Sequence, residues 1–279
     1  MKRFWEEQAL QLALACGVLL MLGWFTLAMA QLHNTPEPAG SDLTAPAVPV
    51  LMYHHLLPQA DITGMFADNN VVVSVEQFTQ DIAALKAQGY QTISLRQLND
   101  FVRNGQELPG KSVVITFDDG YLSNKIYAQP VLEQAGYTAV IFALTGWMEE
   151  HPQTFDAHGL QYLSWPEIRE MGRTFQFASH TDDLHELSWN GKGKVTTASQ
   201  QELADDLNRS IKKLQGTQYF SYPYGHHTGQ SRAVLEAQGI QLAFTVEPVS
   251  VHAGDDPLTL GRWDMYQYRI EDVLQQKRK

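Results

Sequence analysis

The sequence is poor in cysteine and in positive charge, and both shortages restrict what the chain can be. Its 279 residues include one cysteine, Cys16, which lies in an apolar N-terminal stretch. The remainder of the chain therefore has no disulfide and no thiolate metal ligand. Lysine and arginine number 20 against 31 aspartate and glutamate residues, for a formal net charge of −11. This balance argues against a surface that binds nucleic-acid phosphates, and we expect no nucleic-acid partner.

Charge is also missing from Leu10 to Ala30, a Leu-, Ala- and Met-rich stretch that follows Met1-Lys2-Arg3. About 20 apolar residues can cross a bilayer as a helix. The stretch ends in Ala28-Met29-Ala30, a pattern that a signal peptidase can cut. Residues 1–30 are therefore predicted to be a signal peptide or a membrane anchor, with a buried core helix as the alternative. The export prediction places the domain outside the cytoplasm, at the cell surface or secreted, with a membrane contact if the segment is uncleaved.

The chain changes character twice after this stretch. Residues 31–48 are rich in Pro, Ala and small polar residues and have no hydrophobic period, which predicts a linker. Residues 49–279 are predicted to form one domain, which we expect to be monomeric. In this domain five helical patterns each end at a glycine, a residue that suits the position after a helix, and pass directly into an apolar run. These glycines are Gly89, Gly136, Gly172, Gly216 and Gly239.

Strands that alternate with helices pair in parallel through right-handed crossovers. Two further apolar runs, Val48 to Tyr53 and Ser112 to Phe117, bring the count to about seven strands. This pattern predicts an α/β fold, a (β/α) barrel that is distorted or incomplete and is preceded by an N-terminal apolar helix. A doubly wound open sheet is the alternative.

Polar residues follow four of the predicted strands. They are His54-His55, Asp118-Asp119, His180 with His185, and Ser221-Tyr222-Pro223-Tyr224-Gly225. The C-terminal ends of parallel strands meet at one edge, where the active sites of such folds are assembled. We therefore expect the four segments to meet at one site.

The two carboxylates and two imidazoles have complementary chemistry. Asp118 and Asp119 repel each other and lose solvation after an apolar strand unless a cation or hydrogen-bond donors compensate. With a cation bound, one carboxylate can ligate it while the other takes a proton from water. A solvated Asp-Asp-Gly turn is the alternative. His180 and His185 add imidazole ligands, and two histidines with one carboxylate leave positions open for water and substrate.

Two further segments have either a structural or a functional interpretation. The backbone N–H groups of Ser221 to Gly225 are placed to receive a developing oxyanion, although the segment is also good sequence for a sharp turn. Asp182 or Asp183 is a candidate to orient one of the imidazoles.

Together these motifs resemble the polysaccharide deacetylases with the NodB homology domain, carbohydrate esterase family 4. Thr116-Phe117-Asp118-Asp119-Gly120-Tyr121 is similar to the T-F-D-D-G signature of that family, and the resemblance spans Pro49 to Tyr268. It implies a metal-dependent carbohydrate N-deacetylase with a (β/α) barrel.

The resemblance also implies roles for individual residues. Asp118 corresponds to the catalytic base, while Asp119, His180 and His185 correspond to the ligands of one divalent metal ion. The ligand types favour Zn²⁺, and Ni²⁺, Co²⁺ and Fe²⁺ accept the same set. Tyr224 corresponds to the residue whose backbone N–H stabilises the oxyanion.

The chain departs from the family pattern in three ways, and two of them, the longer histidine motif and the missing arginine, resemble one subgroup together with Met52-Tyr53-His54 at the domain start. This subgroup is the deacetylases of biofilm poly-β-1,6-N-acetyl-D-glucosamine. The histidine motif is one residue longer than usual, Ser221 stands where the family has arginine, and the usual C-terminal histidine motif is missing. In this subgroup a histidine after the first strand acts as the acid, which implies His54, or failing that His55. Arg262 is implied to replace the missing arginine by pairing with Asp118.

Three hypotheses of function remain open from the sequence. The first is the removal of N-acetyl groups from poly-β-1,6-N-acetyl-D-glucosamine. The second is the same reaction on peptidoglycan or chitin oligomers. The third is a non-catalytic carbohydrate-binding surface protein.

Overall fold

The computed structural model describes residues 44–278. The predicted N-terminal apolar helix and most of the predicted linker lie outside the described residues. Of the linker, residues 44–48 are described, and Ala45 and Val48 are buried in the core. Val48 exchanges two backbone hydrogen bonds of 2.8 Å with Val251, so the chain is already part of the packed domain at this point. Across residues 44–278, no helix is long and apolar enough to cross a membrane.

Parallel strands form the centre of the fold. In chain order they are β1 (Val50–Tyr53), β2 (His55–Leu57), β3 (Val72–Ser74), β4 (Gln91–Thr92), β5 (Ser112–Asp119), β6 (Ala139–Ala143), β7 (Phe175–Ser179), β8 (Tyr219–Ser221), β9 (Leu242–Phe244) and β10 (Trp263–Asp264). Seven of them pair in the order β10-β1-β5-β6-β7-β8-β9, with β4 added to β5 and with β2 and β3 as a separate parallel pair. A parallel bridge between Phe244 and Leu260 links β9 with the segment that leads into β10. The prediction of an incomplete barrel of about seven strands is confirmed.

Helices connect the strands on the outside of this half-barrel. They are α1 (Val75–Ala87), α2 (Leu95–Asn104), α3 (Gln129–Ala135), α4 (Trp165–Glu170), α5 (Gln200–Lys213), α6 (Gly229–Ala237) and α7 (Ile270–Leu274), and a π-helical turn, Asn124–Ala128, precedes α3. Serine caps begin α1, α2, α4 and α5, each accepting a hydrogen bond from an N–H of the first turn. Four of the five predicted helix-ending glycines have positive φ. The exception is Gly172, which follows the C-cap residue of α4, Met171, and does not have a left-handed backbone.

The alternation of side chains along β5 explains how charge reaches the interior of the barrel. All eight residues of this strand are buried, and successive side chains point to opposite faces. Phe117 packs outward against Tyr53 and Phe175, with ring centroids 5.5 and 5.9 Å away. Thr116 and Asp118 therefore point to the opposite face, into the barrel, where Arg262 reaches both of them.

Candidate metal centre and active site

Asp118 lies at the C-terminal end of β5 in a fully hydrogen-bonded ion pair. Its two carboxylate oxygens each accept a hydrogen bond of 2.7 Å from the guanidinium of Arg262, a side chain with no exposed surface. The hydroxyl of Ser221 accepts from the same guanidinium at 2.8 Å and donates to Asp118 at 3.2 Å. Burial alone raises the pKa of Asp118, but the charge and hydrogen bonds of Arg262 hold it well below its usual range. The carboxylate is therefore ionised throughout the physiological pH range.

Three potential ligands converge beside this ion pair. The Nε2 atoms of His180 and His185 each lie 3.5 Å from Oδ1 of Asp119. The ligand atoms of the three residues all lie within 4.8 Å of one another. Oδ1 of Asp119 is buried and has no hydrogen-bond partner in the part of the chain that the structure describes. An unpaired buried carboxylate oxygen is costly, and a cation between these atoms removes that cost, so the donor set fits a divalent metal ion.

The hydrogen bonds of His180 fix which ring nitrogen faces this cluster. Nδ1 lies 2.8 Å from the carbonyl oxygen of Ser221, which can only accept, so Nδ1 carries the proton. Nε2 is thereby left with a lone pair directed toward Asp119. Burial, assisted by the neighbouring His185, lowers the pKa of His180 to about 4, although the carboxylate of Asp118 opposes the shift. The ring is therefore neutral at pH 7 and able to bind a metal ion.

His185 is held less firmly and lies at the mouth of the site. Its side chain is half-buried between the ring of Tyr224, with centroids 4.7 Å apart, and the edge of Trp147 at 5.9 Å. Nδ1 lies 3.4 Å from the Tyr224 hydroxyl, a long hydrogen bond. The indole N–H of Trp147 donates to Asp183 at 3.2 Å, so Asp183 acts on His185 only through this tryptophan.

Asp182 does not hydrogen-bond to either imidazole. Its carboxylate accepts hydrogen bonds from Thr145, Arg209 and Lys213 instead. The hypothesis that it supports a histidine ring directly is therefore wrong. The motif spacing did not reveal this, since Arg209 and Lys213 lie on a helix more than 20 residues farther along the chain and Thr145 lies 37 residues before Asp182.

The structure separates the two adjacent histidines after β1. Nε2 of His54 lies 4.0 Å from Oδ2 of Asp118, and the side chain is 18% exposed, so it faces the site. His55 points the opposite way, with Nδ1 2.8 Å from the hydroxyl of Ser123 and the ring against Phe66 and Tyr121. Burial lowers the pKa of His55 to about 4. His55 therefore belongs to the core, and His54 is the histidine that reaches the cluster.

The segment after β8 approaches His185 from the far side of the cluster. Tyr224 is part of a short 3-10 turn, Pro223–Gly225, and has a left-handed backbone with φ 58°. Asp119 and Thr181 also have positive φ, of 71° and 85°. Such backbone conformations cost about 1–3 kcal/mol each in residues with a side chain, and they concentrate at functional sites. Three of them in one cluster are consistent with a catalytic centre.

Tyr121 contributes to the site although the sequence pattern assigned it no role. Its ring stacks against that of Tyr162, with centroids 5.2 Å apart, and its hydroxyl lies close enough to Asp119 to interact with the carboxylate. Burial and the charge of Asp119 raise the pKa of Tyr121 far above its usual value, so the hydroxyl keeps its proton and is a potential donor to the carboxylate. The last letter of the Asp-Asp-Gly-Tyr motif was the available signal.

Comparison with known proteins is consistent with this geometry. The model of the family "Polysaccharide deacetylase" matches residues 105–243. A poly-beta-1,6-N-acetyl-D-glucosamine N-deacetylase of Staphylococcus aureus is 32% identical over 191 residues, which cover 65% of this chain and 63% of that protein. The protein of the same name from Staphylococcus epidermidis is 29% identical over 222 residues, which cover 76% of this chain and 71% of that protein. The chain thus spans less than two thirds of its Staphylococcus aureus relative.

The fold is shared with solved structures as well. The structure of IcaB from Ammonifex degensii is similar to this chain with a TM-score of 0.69 and 26% sequence identity. The similarity covers 85% of this chain and 99% of that chain. Sequence motif, fold and side-chain cluster lead to the same conclusion: the chain belongs to the polysaccharide deacetylase family.

Proposed function

We propose that this chain is a metal-dependent hydrolase that removes N-acetyl groups from a cell-surface N-acetylglucosamine polymer, namely the poly-β-1,6-N-acetyl-D-glucosamine of biofilm matrix. The observation that carries the proposal is the buried, unpaired Oδ1 of Asp119, which faces two imidazole nitrogens beside the ionised carboxylate of Asp118. The names of the Staphylococcus relatives support the choice of polymer.

Asp119, His180 and His185 hold the metal ion in this proposal, with Zn²⁺ favoured by ligand type and Ni²⁺, Co²⁺ or Fe²⁺ as alternatives. A bound divalent cation supplies Lewis acidity that polarises the acetamide carbonyl and acidifies water. Two imidazole nitrogens and one carboxylate are ligand types that suit a divalent transition-metal ion. This assignment predicts that a chelator abolishes turnover.

The remaining roles belong to side chains of the chain itself. Asp118 accepts a proton from the attacking water, and Arg262 holds the orientation of its carboxylate through two hydrogen bonds. The backbone N–H of Tyr224 donates to the oxygen of the acetamide as it becomes negative. His54, on the exposed side of Asp118, donates a proton to the departing amine. The products are acetate and a glucosamine unit that is cationic at neutral pH.

We further propose that the domain acts outside the cytoplasm as a monomer. The location outside the cytoplasm rests on the charge-free stretch from Leu10 to Ala30, which lies outside the described residues. Labelling of intact cells with a membrane-impermeant reagent, followed by purification of the chain, tests it. Labelling only after lysis would contradict an extracytoplasmic domain.

The direct test is release of acetate by the purified chain, together with measurement of its metal content. Oligomers of β-1,6-linked N-acetylglucosamine are the expected substrates, with chitin oligomers and peptidoglycan as competing ones. Faster release of acetate from chitin oligomers or from peptidoglycan would make that polymer the substrate in place of the proposed one. Binding of the glycan by metal-loaded protein without any release of acetate would leave only a carbohydrate-binding protein.

Two substitutions separate the roles of the base and the ligands. Asp118→Asn is expected to keep the metal ion and lose turnover, because it removes the proton acceptor but none of the ligands. His180→Ala is expected to lose both, because it removes a ligand. Metal analysis of each purified variant beside its rate of acetate release checks the assignment. An Asp118→Asn protein without metal, active again after metal is added, would reverse the roles of the two aspartates.

A further inference from the structure

The two ligand histidines are five residues apart, a spacing that does not align them on a helix or on one face of a strand. His180 is fixed through its own contacts, since its N–H donates to Ala143 and its Nδ1 to Ser221. Among residues 44–278, His185 has one side-chain hydrogen bond, a long 3.4 Å contact between its Nδ1 and the hydroxyl of Tyr224, in addition to its ring contacts with Tyr224 and Trp147. The distance between the two Nε2 atoms is therefore set by the loop that joins the residues, 181–184.

Every backbone N–H of this loop has an acceptor. The N–H of Thr181 donates to the hydroxyl of Ser179, and that of Leu184 to the hydroxyl of Thr181. Between them, the N–H groups of Asp182 and Asp183 each donate at 2.8 Å to a different oxygen of one carboxylate, that of Asp206. Two of the four hydrogen bonds in the loop thus depend on a single side chain of α5.

The other side of the loop is also fixed. The carbonyl oxygen of Asp182 accepts from the N–H of Gly146 at 2.8 Å, and a Cβ at residue 146 would lie 2.5 Å from that oxygen. Thr181 is a β-branched residue with φ 85°, a conformation that persists only where its surroundings impose it. The loop is therefore held in one strained conformation by contacts from two sides.

Asp206 is itself built into the fold rather than placed at the surface. It has no exposed surface, and one carboxylate oxygen accepts a further hydrogen bond of 3.2 Å from Arg209. Arg209 and Lys213 also bind the carboxylate of Asp182, at 2.9 and 2.7 Å. Two carboxylates and two cations compensate each other, so this cluster adds no net charge to the field at the metal cluster. Its effect on the ligands is one of position.

We propose that Asp206 is a positioning residue for the metal centre, which clamps the loop between His180 and His185 and so sets the distance between their Nε2 atoms. The inference rests on the proposed metal site. The longer histidine motif of this chain has one more loop residue to constrain, and the paired acceptors of Asp206 supply that constraint. A preformed pair of ligands binds a metal ion more tightly than a pair that must be ordered on binding.

Asp206→Asn in the full chain tests the clamp, because the amide retains one acceptor oxygen and turns an N–H₂ toward the N–H of Asp183. We expect about a tenfold loss of Zn²⁺ affinity, measured by competition with a chromogenic chelator, as is usual when the supports of a metal ligand are removed. The visible absorption bands of the Co²⁺-loaded protein, which report ligand geometry, are expected to shift. Turnover is expected to recover partly at high metal concentration.

Asp205→Asn is the matched control, since Asp205 is the exposed neighbour on the same helix and its carboxylate accepts a hydrogen bond from Gln201 rather than from the loop. It is expected to bind Zn²⁺ like the unsubstituted chain. Lys213→Gln removes a 39% exposed partner of Asp182 and is expected to weaken metal binding in the same direction but less, without loss of folding.

The outcomes distinguish this inference from the function on which it rests. If Asp206→Asn lowers the stability of the metal-free protein but leaves Zn²⁺ affinity and the Co²⁺ spectrum unchanged, Asp206 supports only the fold. If that variant does not fold, an unchanged Zn²⁺ affinity of Lys213→Gln overturns the clamp. If the unsubstituted chain binds no metal ion, the proposed function fails instead.

Discussion

Ser221, the last residue of β8, and Arg262, just before β10, both bind the carboxylate of Asp118. Ser221 is small enough to leave room beside Asp118, and the guanidinium that fills this room arrives from the start of β10. Besides the carboxylate, it binds the carbonyl oxygen of Thr245 at 3.0 Å and the hydroxyl of Thr116 at 3.2 Å. The same ion pair thus orients the proposed base and joins β5, β8 and β10 inside the barrel.

Arg262→Met is expected to impair both catalysis and folding. Removal of one partner of a buried ion pair leaves the other charge without compensation, at a cost of about 3–5 kcal/mol in the free energy of unfolding. Loss of the orientation of Asp118 is expected to lower kcat by about 100-fold. Denaturant unfolding and acetate release measure the two effects. Arg232→Met, which breaks a partly exposed pair with Asp256, is the control and is expected to cost under about 1 kcal/mol.

Tyr121→Phe is expected to weaken metal binding while the fold is retained. The substitution removes the protonated hydroxyl beside the Asp119 carboxylate but preserves the ring that packs against Tyr162 and His55. Supports of this kind contribute about 10-fold or more to metal affinity. A Zn²⁺ titration of the variant provides the measurement. Equal affinity in the variant and the unsubstituted chain would show that Asp119 needs no donor from Tyr121.

At the scale of elements, the turn after β8 is fixed by a close approach between backbones. Gly225 has φ 71°, and a Cβ at this position would lie 2.6 Å from the side chain of Val246 and 2.9 Å from its backbone nitrogen. Backbone atoms cannot give way as the end of a flexible side chain can. The position of the Tyr224 N–H therefore depends on the absence of a side chain at the next residue.

Gly225→Ala is expected to lower turnover at least tenfold while metal content stays unchanged, because it displaces the proposed oxyanion donor but none of the ligands. Acetate release and metal analysis of the same preparation make the comparison.

Gly239→Ala is the matched control. It has a similar φ of 81° but open space around its Cβ position, so it carries the backbone strain alone. It is expected to cost about 1 kcal/mol of stability and no activity. Equal losses of turnover in both variants would assign the effect to strain.

The sequence predicted those elements whose signals are local. The glycine after a helix and the apolar run that follows it are adjacent in the chain, so the sequence alone locates the end of the helix and the start of the next strand. The polar residues at the strand ends follow those apolar runs directly, so their positions could be predicted as well. β10 could not be predicted in this way, because it has only two residues, too few for a period. Asp206 could not be recognised either. An aspartate within an amphipathic helix has the pattern of a solvated residue, and only the packing of α5 against the end of β7 brings it to the metal-binding loop.

At the scale of the whole molecule, the pH dependence of stability comes from buried groups whose pKa values are shifted by folding, and these shifts act in opposite directions. Burial lowers the pKa of His55 and of His180 to about 4. Burial raises the pKa of Asp81 to about 6, although hydrogen bonds from Tyr53 and Gln77 oppose the rise. The folded state therefore binds fewer protons than the unfolded chain at the histidines and more at Asp81. The pH dependence of the free energy of unfolding is the sum of the contributions of all these groups. The contribution of one group is obtained by comparing a variant that lacks it with the unsubstituted chain.

His55→Phe isolates the contribution of one buried histidine. The unfolded chain protonates His55 near pH 6.5, whereas the folded chain does so only near pH 4, so protons favour unfolding between these values. The free energy of unfolding contributed by His55 is therefore present above pH 6.5, falls as the pH drops toward 4, and is constant below. We expect the unsubstituted chain to lose up to about 3 kcal/mol more than His55→Phe across this window.

Denaturant unfolding of metal-free protein at several pH values measures this difference. Phenylalanine suits the site, since the ring of His55 packs between Phe66 and Tyr121 and its Nε2 has no partner among residues 44–278. His151→Gln replaces an exposed histidine and is expected to leave the pH dependence unchanged. Parallel curves for the unsubstituted chain and His55→Phe would mean that the folded chain protonates His55 as readily as the unfolded chain does. The ring would then be open to water in the folded chain.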